Sequence, residues 1–261
     1  MSASKREKAL ARQRAERQVA RAAAAAARRK QRNAVIASVV AVLLVAAGVG
    51  VLATSLSRGG STADAAPAKA TEAPPQPGEC RYEKSGVAAK DVKPPPTEGV
   101  ETAGLFTATL TTSLGAIAFE MDASKAPCTV NSLRSLAHFS YFDDTVCHRL
   151  TSRNIFVLQC GDPRGDGTGG PGYRFPDENL EGATYPRGTV AMANGGAGTN
   201  GSQFFLVYRD SQLPPDYTPF GRITRGLDLI DKVAKAGSTP AEDGQPNTGV
   251  KIKTLRTSGK A

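Results

Sequence analysis

The 261-residue chain has no tryptophan, only two histidines and four cysteines, and aromatic residues make up 6% of it. No two cysteines stand in a C-x-x-C pair, so a structural zinc site lacks its usual ligand spacing. His138 falls in a helical pattern, as a packing or surface residue. His148 falls in an apolar strand context, as a hydrogen-bonded core residue rather than a base. The run Gly201-Ser-Gln-Phe-Phe205 lacks the second glycine of a nucleophile elbow, so Ser202 is not read as a hydrolase nucleophile. Metal, Ser/His and Cys/His chemistry thus lack their components. A basic globular domain is also absent. The net charge is +9, from 33 Lys and Arg against 24 Asp and Glu. Residues 1–33 hold eleven basic and two acidic residues and carry the whole surplus; the rest balances 22 against 22. That distribution leaves no electrostatic footprint for nucleic acid, and no nucleic-acid partner is expected.

What is present falls into four parts. Residues 1–33 read as a basic cytoplasmic tail, with anionic lipid as a candidate partner. Residues 34–56 carry no charge and are almost all Ala, Val, Leu, Ile and Gly. As a helix they span about 34 Å at roughly 1.5 Å per residue, enough for a hydrocarbon core of about 30 Å. We read them as an uncleaved single-pass anchor in the cell membrane. The positive-inside rule places the N-terminus in the cytoplasm and the rest outside. Residues 57–103 hold seven of the seventeen prolines and read as a disordered extracytoplasmic linker.

Residues 104–258 read as one domain. Residues 105–111 and 116–121 alternate around a turn at 112–115, a hairpin signature. Residues 126–138 have Val130, Leu133, Leu136 and Ala137 at helical spacing, with Pro127 near the start and Thr129 as a candidate cap. Residues 226–235 suggest a second short amphipathic helix. Short apolar runs between Gly- and Pro-rich loops make the rest mainly β, a barrel or sandwich. Gly165-Asp-Gly-Thr-Gly-Gly170 matches a dinucleotide fingerprint in letters only, because Pro171-Gly172 follows instead of an apolar helix. Asp162 and Asp166 do not make a calcium loop, since Tyr173 stands where the bidentate Glu belongs.

Several polar residues interrupt apolar runs: Arg149, Gln159, Asn194 and Gln203. Such local departures mark functional positions. Phe142…His148-Arg149, Phe156-Val-Leu-Gln-Cys-Gly-Asp162, Gly167-Thr-Gly-Gly170 and Phe175-Pro-Asp-Glu-Asn179 stand in this order. Met192-Ala-Asn194, Thr199-Asn-Gly-Ser-Gln-Phe-Phe205 and Phe220-Gly221 follow. Together they resemble the cyclophilin family of peptidyl-prolyl cis-trans isomerases, over about residues 104–258.

The resemblance implies an eight-stranded antiparallel barrel capped by two helices, acting on proline-containing polypeptides as a monomer without metal or cofactor. It implies a catalytic set of Arg149, Phe156, Gln159, Asn194 and Phe205. Arg149 is the catalytic arginine and Gln159 the residue that holds it. It implies substrate contacts from Val157, Met192, Ala193, Gly195, Gln203, Gln212, Leu213 and Tyr217. Val157 replaces a common Met, Gln212 stands where many members have Trp, and Tyr217 where many have His. Residues 150–155 make the spacer between Arg149 and Phe156 two residues longer than the commonest family spacing. A second reading, a non-catalytic membrane-tethered binding or chaperone module, uses the same barrel.

All four cysteines follow the apolar span, which suits disulfides outside the cytoplasm. Three pairings are open. If Arg149 and Gln159 share a face, as the resemblance implies, strict alternation turns Cys147 and Cys160 to opposite faces.

Overall fold

A computed structural model describes residues 76–258. The basic tail, the apolar span 34–56 and residues 57–75 lie outside the described residues. The short strand β1 (Glu83–Lys84) precedes the hairpin of β2 (Leu105–Thr112) and β3 (Gly115–Asp122). In that hairpin Phe106, Ala108, Leu110, Ile117, Phe119 and Met121 are buried while their neighbours face outward. The period of two makes this one-sided burial. Thr112 Oγ1 donates to Gly115 O at 2.7 Å and accepts from Leu114 N–H at 3.1 Å, which fixes the turn and hence the register Leu110↔Ile117.

Helix α1 (Pro127–His138) follows, with Pro127 in its first turn. Its N-cap is Ala126, which makes no side-chain cap bond. Thr129 lies inside the helix and is not the cap. The carboxylate of Glu178 does that work from a distance, accepting from Cys128 N–H at 2.9 Å and Thr129 N–H at 2.8 Å. The strands that follow are β4 (Thr145–Cys147), β5 (Arg149–Thr151), β6 (Val157–Cys160), β7 (Tyr173–Arg174), β8 (Thr189–Met192), β9 (Phe204–Val207) and β10 (Pro219–Arg225). Helix α2 (Leu227–Ala236) then precedes β11 (Ser238–Thr239), β12 (Asp243–Pro246) and β13 (Val250–Thr257).

Eleven strand segments form one curled antiparallel sheet in the order β11-β12-β5-β6-β9-β8-β10-β3-β2-β13-β4. The isolated bridge Val146↔Asp162 ties β4 back toward the end of β6. The mainly β class and the two helices match the sequence reading; the count of eight strands does not. The chain breaks between β4 and β5 at His148, and the short β11 and β12 extend the sheet beyond β5. Val130, Leu133 and Leu136 of α1 and Ile230 and Val233 of α2 close the core against Phe119, Phe142, Phe204 and Phe220.

The linker reading fails from residue 76 onward. Residues 76–103 are a strap packed on α1 and β7. Cys80 is buried and disulfide-bonded to Cys128 of α1. Tyr82 meets Tyr173 and Phe175 edge to face at 5.3 and 5.5 Å. β1 pairs with β7, and Asn131 Nδ2 donates to Pro96 O at 2.8 Å. Proline content disfavours regular structure but not packing, and here a crosslink and a half-buried aromatic supply the packing that the composition lacks.

Candidate active site

Three adjacent strands, β6, β9 and β8, build the apolar part of the site. They are covered on both faces, so successive side chains enter different clusters. Leu158, Phe204, Leu206, Val190 and Met192 join the main core. Val157, Phe205, Val207 and Ala191 point the other way and cluster with Tyr185. Ile155, Ala193, Leu213 and Tyr217 pack half-buried around that outer patch. Phe205 and Tyr217 meet edge to face at 5.7 Å. The Tyr185 hydroxyl donates to Tyr217 O at 2.8 Å and accepts from Tyr217 N–H at 3.1 Å, which holds the Tyr217 backbone.

The strand registers align the polar residues with this patch. Arg149 pairs with Gln159, Gln159 with Phe205, and Phe205 with Ala191. These four positions form one row across β5, β6, β9 and β8, so their side chains share a face. Arg149 Nη1 donates to Gln159 Oε1 at 3.0 Å. Gln159 Nε2 donates to Gln203 Oε1 at 2.8 Å. Gln203 Nε2 donates to Gly167 O at 3.0 Å and Gly169 O at 2.9 Å. The other side of the guanidinium is held by Asp243, with Nε to Oδ1 at 2.7 Å and Nη2 to Oδ2 at 2.8 Å. The two-pronged bond keeps the Asp243 carboxyl below its usual range and raises Arg149 further above neutral pH. Arg149 is therefore a permanent, planar, half-exposed cation with fixed orientation.

Of the sequence-expected residues, Arg149, Gln159, Phe205, Val157, Ala193, Gln203, Leu213 and Tyr217 come together here. Asn194 and Gly195 follow on the same strand end. The Asn194 carboxamide turns into its own loop, with Nδ2 donating to Asp216 O at 2.8 Å and Oδ1 accepting from Gly196 N–H at 3.2 Å. Gly195 N–H donates to Thr199 Oγ1 at 2.8 Å. Three residues lie elsewhere. Met192 is buried in the main core. Phe156 packs against that core beside Tyr208, with the Arg209 guanidinium 3.4 Å from its ring centroid. Gln212 is exposed, and its N–H donates to Asn154 O at 3.2 Å. Sequence reasoning missed Asp243, which lies 94 residues from Arg149. The only local signal is the small residue after it. A Cβ on Gly244 would fall 2.4 Å from Pro240 N, so only glycine lets this strand come so close.

Asp162 is structural. Its carboxylate accepts from Arg164, Asp166 and Gly167 N–H groups at 2.7, 3.2 and 2.7 Å, which shapes the loop whose carbonyls Gln203 binds. His148 is buried under that loop, and neither ring nitrogen has a partner. Desolvation pushes it below its ordinary value and keeps it neutral. Cys147 and Cys160 are disulfide-bonded, against the alternation argument. The strand breaks at His148, and β4 leaves β6 to pair with β13 through Val250↔Cys147. Beyond the break Cys147 turns into the main core, on the side of Cys160.

The sequence model described as "Cyclophilin type peptidyl-prolyl cis-trans isomerase/CLD" matches residues 107–257. The chain belongs to the cyclophilin family. It is 49% identical over 194 residues to the "Probable peptidyl-prolyl cis-trans isomerase B" of Mycobacterium leprae, covering 68% of this chain and 66% of that protein. The protein of that name from Mycobacterium tuberculosis is 49% identical over 193 residues, covering 67% and 63%. The matched part thus spans just under two thirds of these relatives' length. The solved cyclophilin-type isomerase of Cryptosporidium parvum is similar with a TM-score of 0.54 and 27% identity, over 60% of this chain and all of that one. Its structure in the presence of the dipeptide ala-pro gives 0.52 and 27%, over 59% and 99%. Within this cyclophilin, Tyr217 covers the patch, edge to face on Phe205. The spacer after Arg149 forms a loop closed by the bridge Arg153↔Ile155.

Proposed function

We propose that the chain is an active peptidyl-prolyl cis-trans isomerase, tethered to a membrane by residues 34–56, with the barrel outside the cytoplasm. The observation that carries the catalytic reading is the single row Arg149–Gln159–Phe205–Ala191, which sets a fixed cation beside an apolar patch. The dipeptide ala-pro used with the Cryptosporidium relative supports X–Pro as the substrate class.

Rotation about an X–Pro bond costs about 18–20 kcal/mol because C–N conjugation must be broken. Uncatalysed, it takes tens to hundreds of seconds. In the proposed mechanism Val157, Phe205, Leu213 and Tyr217 hold the prolyl ring while the preceding carbonyl swings. Twisting turns the prolyl nitrogen into a pyramidal acceptor, and an Arg149 N–H donates to it. That bond is stronger in the twisted state than in either planar isomer, so it lowers the barrier rather than merely tightening binding. Asp243 and Gln159 occupy three of the guanidinium's N–H groups and fix the direction of the rest. The backbone at Ala193–Gly195 anchors the substrate segment. Only hydrogen bonds and shape are needed, and no bond is made or cleaved.

The placement outside the cytoplasm is supported by the two disulfides, which use all four cysteines, and by the charge step across residues 34–56. Clients on that side are secreted or surface-associated polypeptides in the course of folding. Faster cis–trans exchange in an Ala-Pro peptide, read by NMR exchange, tests the activity. Protease digestion of intact cells, with loss of the C-terminal domain, tests the placement. Unchanged exchange contradicts the first reading, and full protection contradicts the second.

A further inference from the structure

A cavity of about 650 Å³ adjoins the groove beyond Gln203. Ala193, Asn194, Gly195 and Gln203 form the wall it shares with the groove, the glycine loop 167–170 forms its floor, and Ser85, Gly86 and Val87 of the strap form a third wall. The strap is fixed at this point. Ser85 N–H donates to Gly172 O at 2.9 Å and Ala89 N–H to Gly170 O at 2.8 Å. A Cβ at Gly172 would stand 3.1 Å from Ala88, so the strap lies directly on the loop. Between these two anchors Val87 is 82% exposed. A large apolar side chain is thus held out from a rigid backbone at the rim of a cavity that opens into the groove.

The charge of the cavity is one-sided. Arg164 and Arg174 line it, with no Asp or Glu among the lining residues. Arg174 is paired with Glu83 at 2.9 Å. The Arg164 side chain is exposed and makes no ion pair among the described residues. An acidic side chain suits both features: its methylenes pack on Val87 and its carboxylate meets Arg164.

We propose that the strap segment Ser85–Val87 is part of the substrate-binding surface. With Arg164 and Arg174 it selects clients that carry Glu or Asp within a few residues of the X–Pro bond. The inference rests on the isomerase reading of the groove and names the substrate class that this chain prefers.

The test uses the full chain and matched Ala-Pro peptides carrying Glu, Ala or Lys at each of the three positions before and after the pair. Both kcat/KM and Kd are measured. At the best position Glu exceeds Ala, and Ala exceeds Lys, by about threefold to fivefold per step, the size of one exposed ion pair. Val87→Asp and Arg164→Glu each reduce the Glu-to-Ala ratio to about one or below. Lys232→Glu, a charge change on the exposed face of α2, leaves the ratio unchanged. A flat series with good turnover overturns the inference and leaves the isomerase reading standing. A ratio unmoved by Val87→Asp excludes the strap from the site. A chain that binds with the Glu preference but does not turn over supports this inference and defeats the isomerase reading. Neither binding nor turnover defeats both.

Discussion

Asp243 and Arg149, 94 residues apart in sequence, are joined by two parallel hydrogen bonds of 2.7 and 2.8 Å. Asp243 sits diagonally across from Arg149, because β12 pairs Asp243 with Thr151 two residues further along β5. The cation proposed to act in catalysis is thus oriented by a strand from the far end of the domain.

Asp243→Asn keeps one acceptor and loses the charge. The expected result is a fall in kcat/KM of about tenfold, from misdirection of the guanidinium. The folded-state pKa of Asp243 is depressed, so the pair is intact above the ordinary carboxylate value and is lost as pH falls through the lower folded one. Wild-type activity should be flat through neutrality, with a decline only below about pH 4. The pH–rate profile of Asp243→Asn should lack that acid limb.

Gln203 is held in one amide orientation, with its oxygen toward Gln159 and its nitrogen toward Gly167 O and Gly169 O. Gln203→Glu replaces the donor with an oxygen facing two carbonyls. The expected outcome is faster amide exchange in the loop 165–170, with a loss of about 1–3 kcal/mol in stability by denaturant titration. An unchanged loop would break the link between the groove and the strap.

The Cys80–Cys128 bond spans 48 residues and Cys147–Cys160 spans 13. In the chain-entropy account, removing the first pair by serine costs about 4 kcal/mol and removing the second about 3 kcal/mol. Thermal melts of the two double-serine variants check the order. Because Cys80 anchors the strap, the first variant should also lose protection of residues 76–90 against proteolysis.

His148 is buried without a partner, and burial lowers its pKa from 6.5. The unfolded chain therefore takes up a proton before the folded one does. Stability is fully present above about pH 6.5 and declines as pH falls toward the folded value. Melting temperatures between about pH 7 and 5 should fall for the wild type and fall less for His148→Leu.

The hairpin 105–122 and both helices are legible in the sequence because their burial follows a single period. Arg149 and Gln159 of the row are legible as polar residues that break apolar runs, and Phe205 through the family resemblance. Asp243 is not, since its role comes from β12 pairing with β5, a contact with no local pattern. Met192 shares β8 with Ala191 and Phe156 directly precedes Val157 of β6, but each faces the main core while its neighbour faces the outer patch. The strap is hidden by its prolines, which describe the backbone's flexibility and say nothing of the Cys80 crosslink or the Tyr82 packing. The Cys147–Cys160 bond is hidden because one break at His148 cancels strict alternation.

The most direct test of the account is cis–trans exchange of an Ala-Pro peptide with the wild-type chain and with Arg149→Ala, each checked for an intact fold by circular dichroism. The account predicts a loss of about a hundredfold or more in kcat/KM with the fold retained, since a single fixed donor at the reacting nitrogen is removed. A folded Arg149→Ala that keeps its rate within about twofold would contradict it.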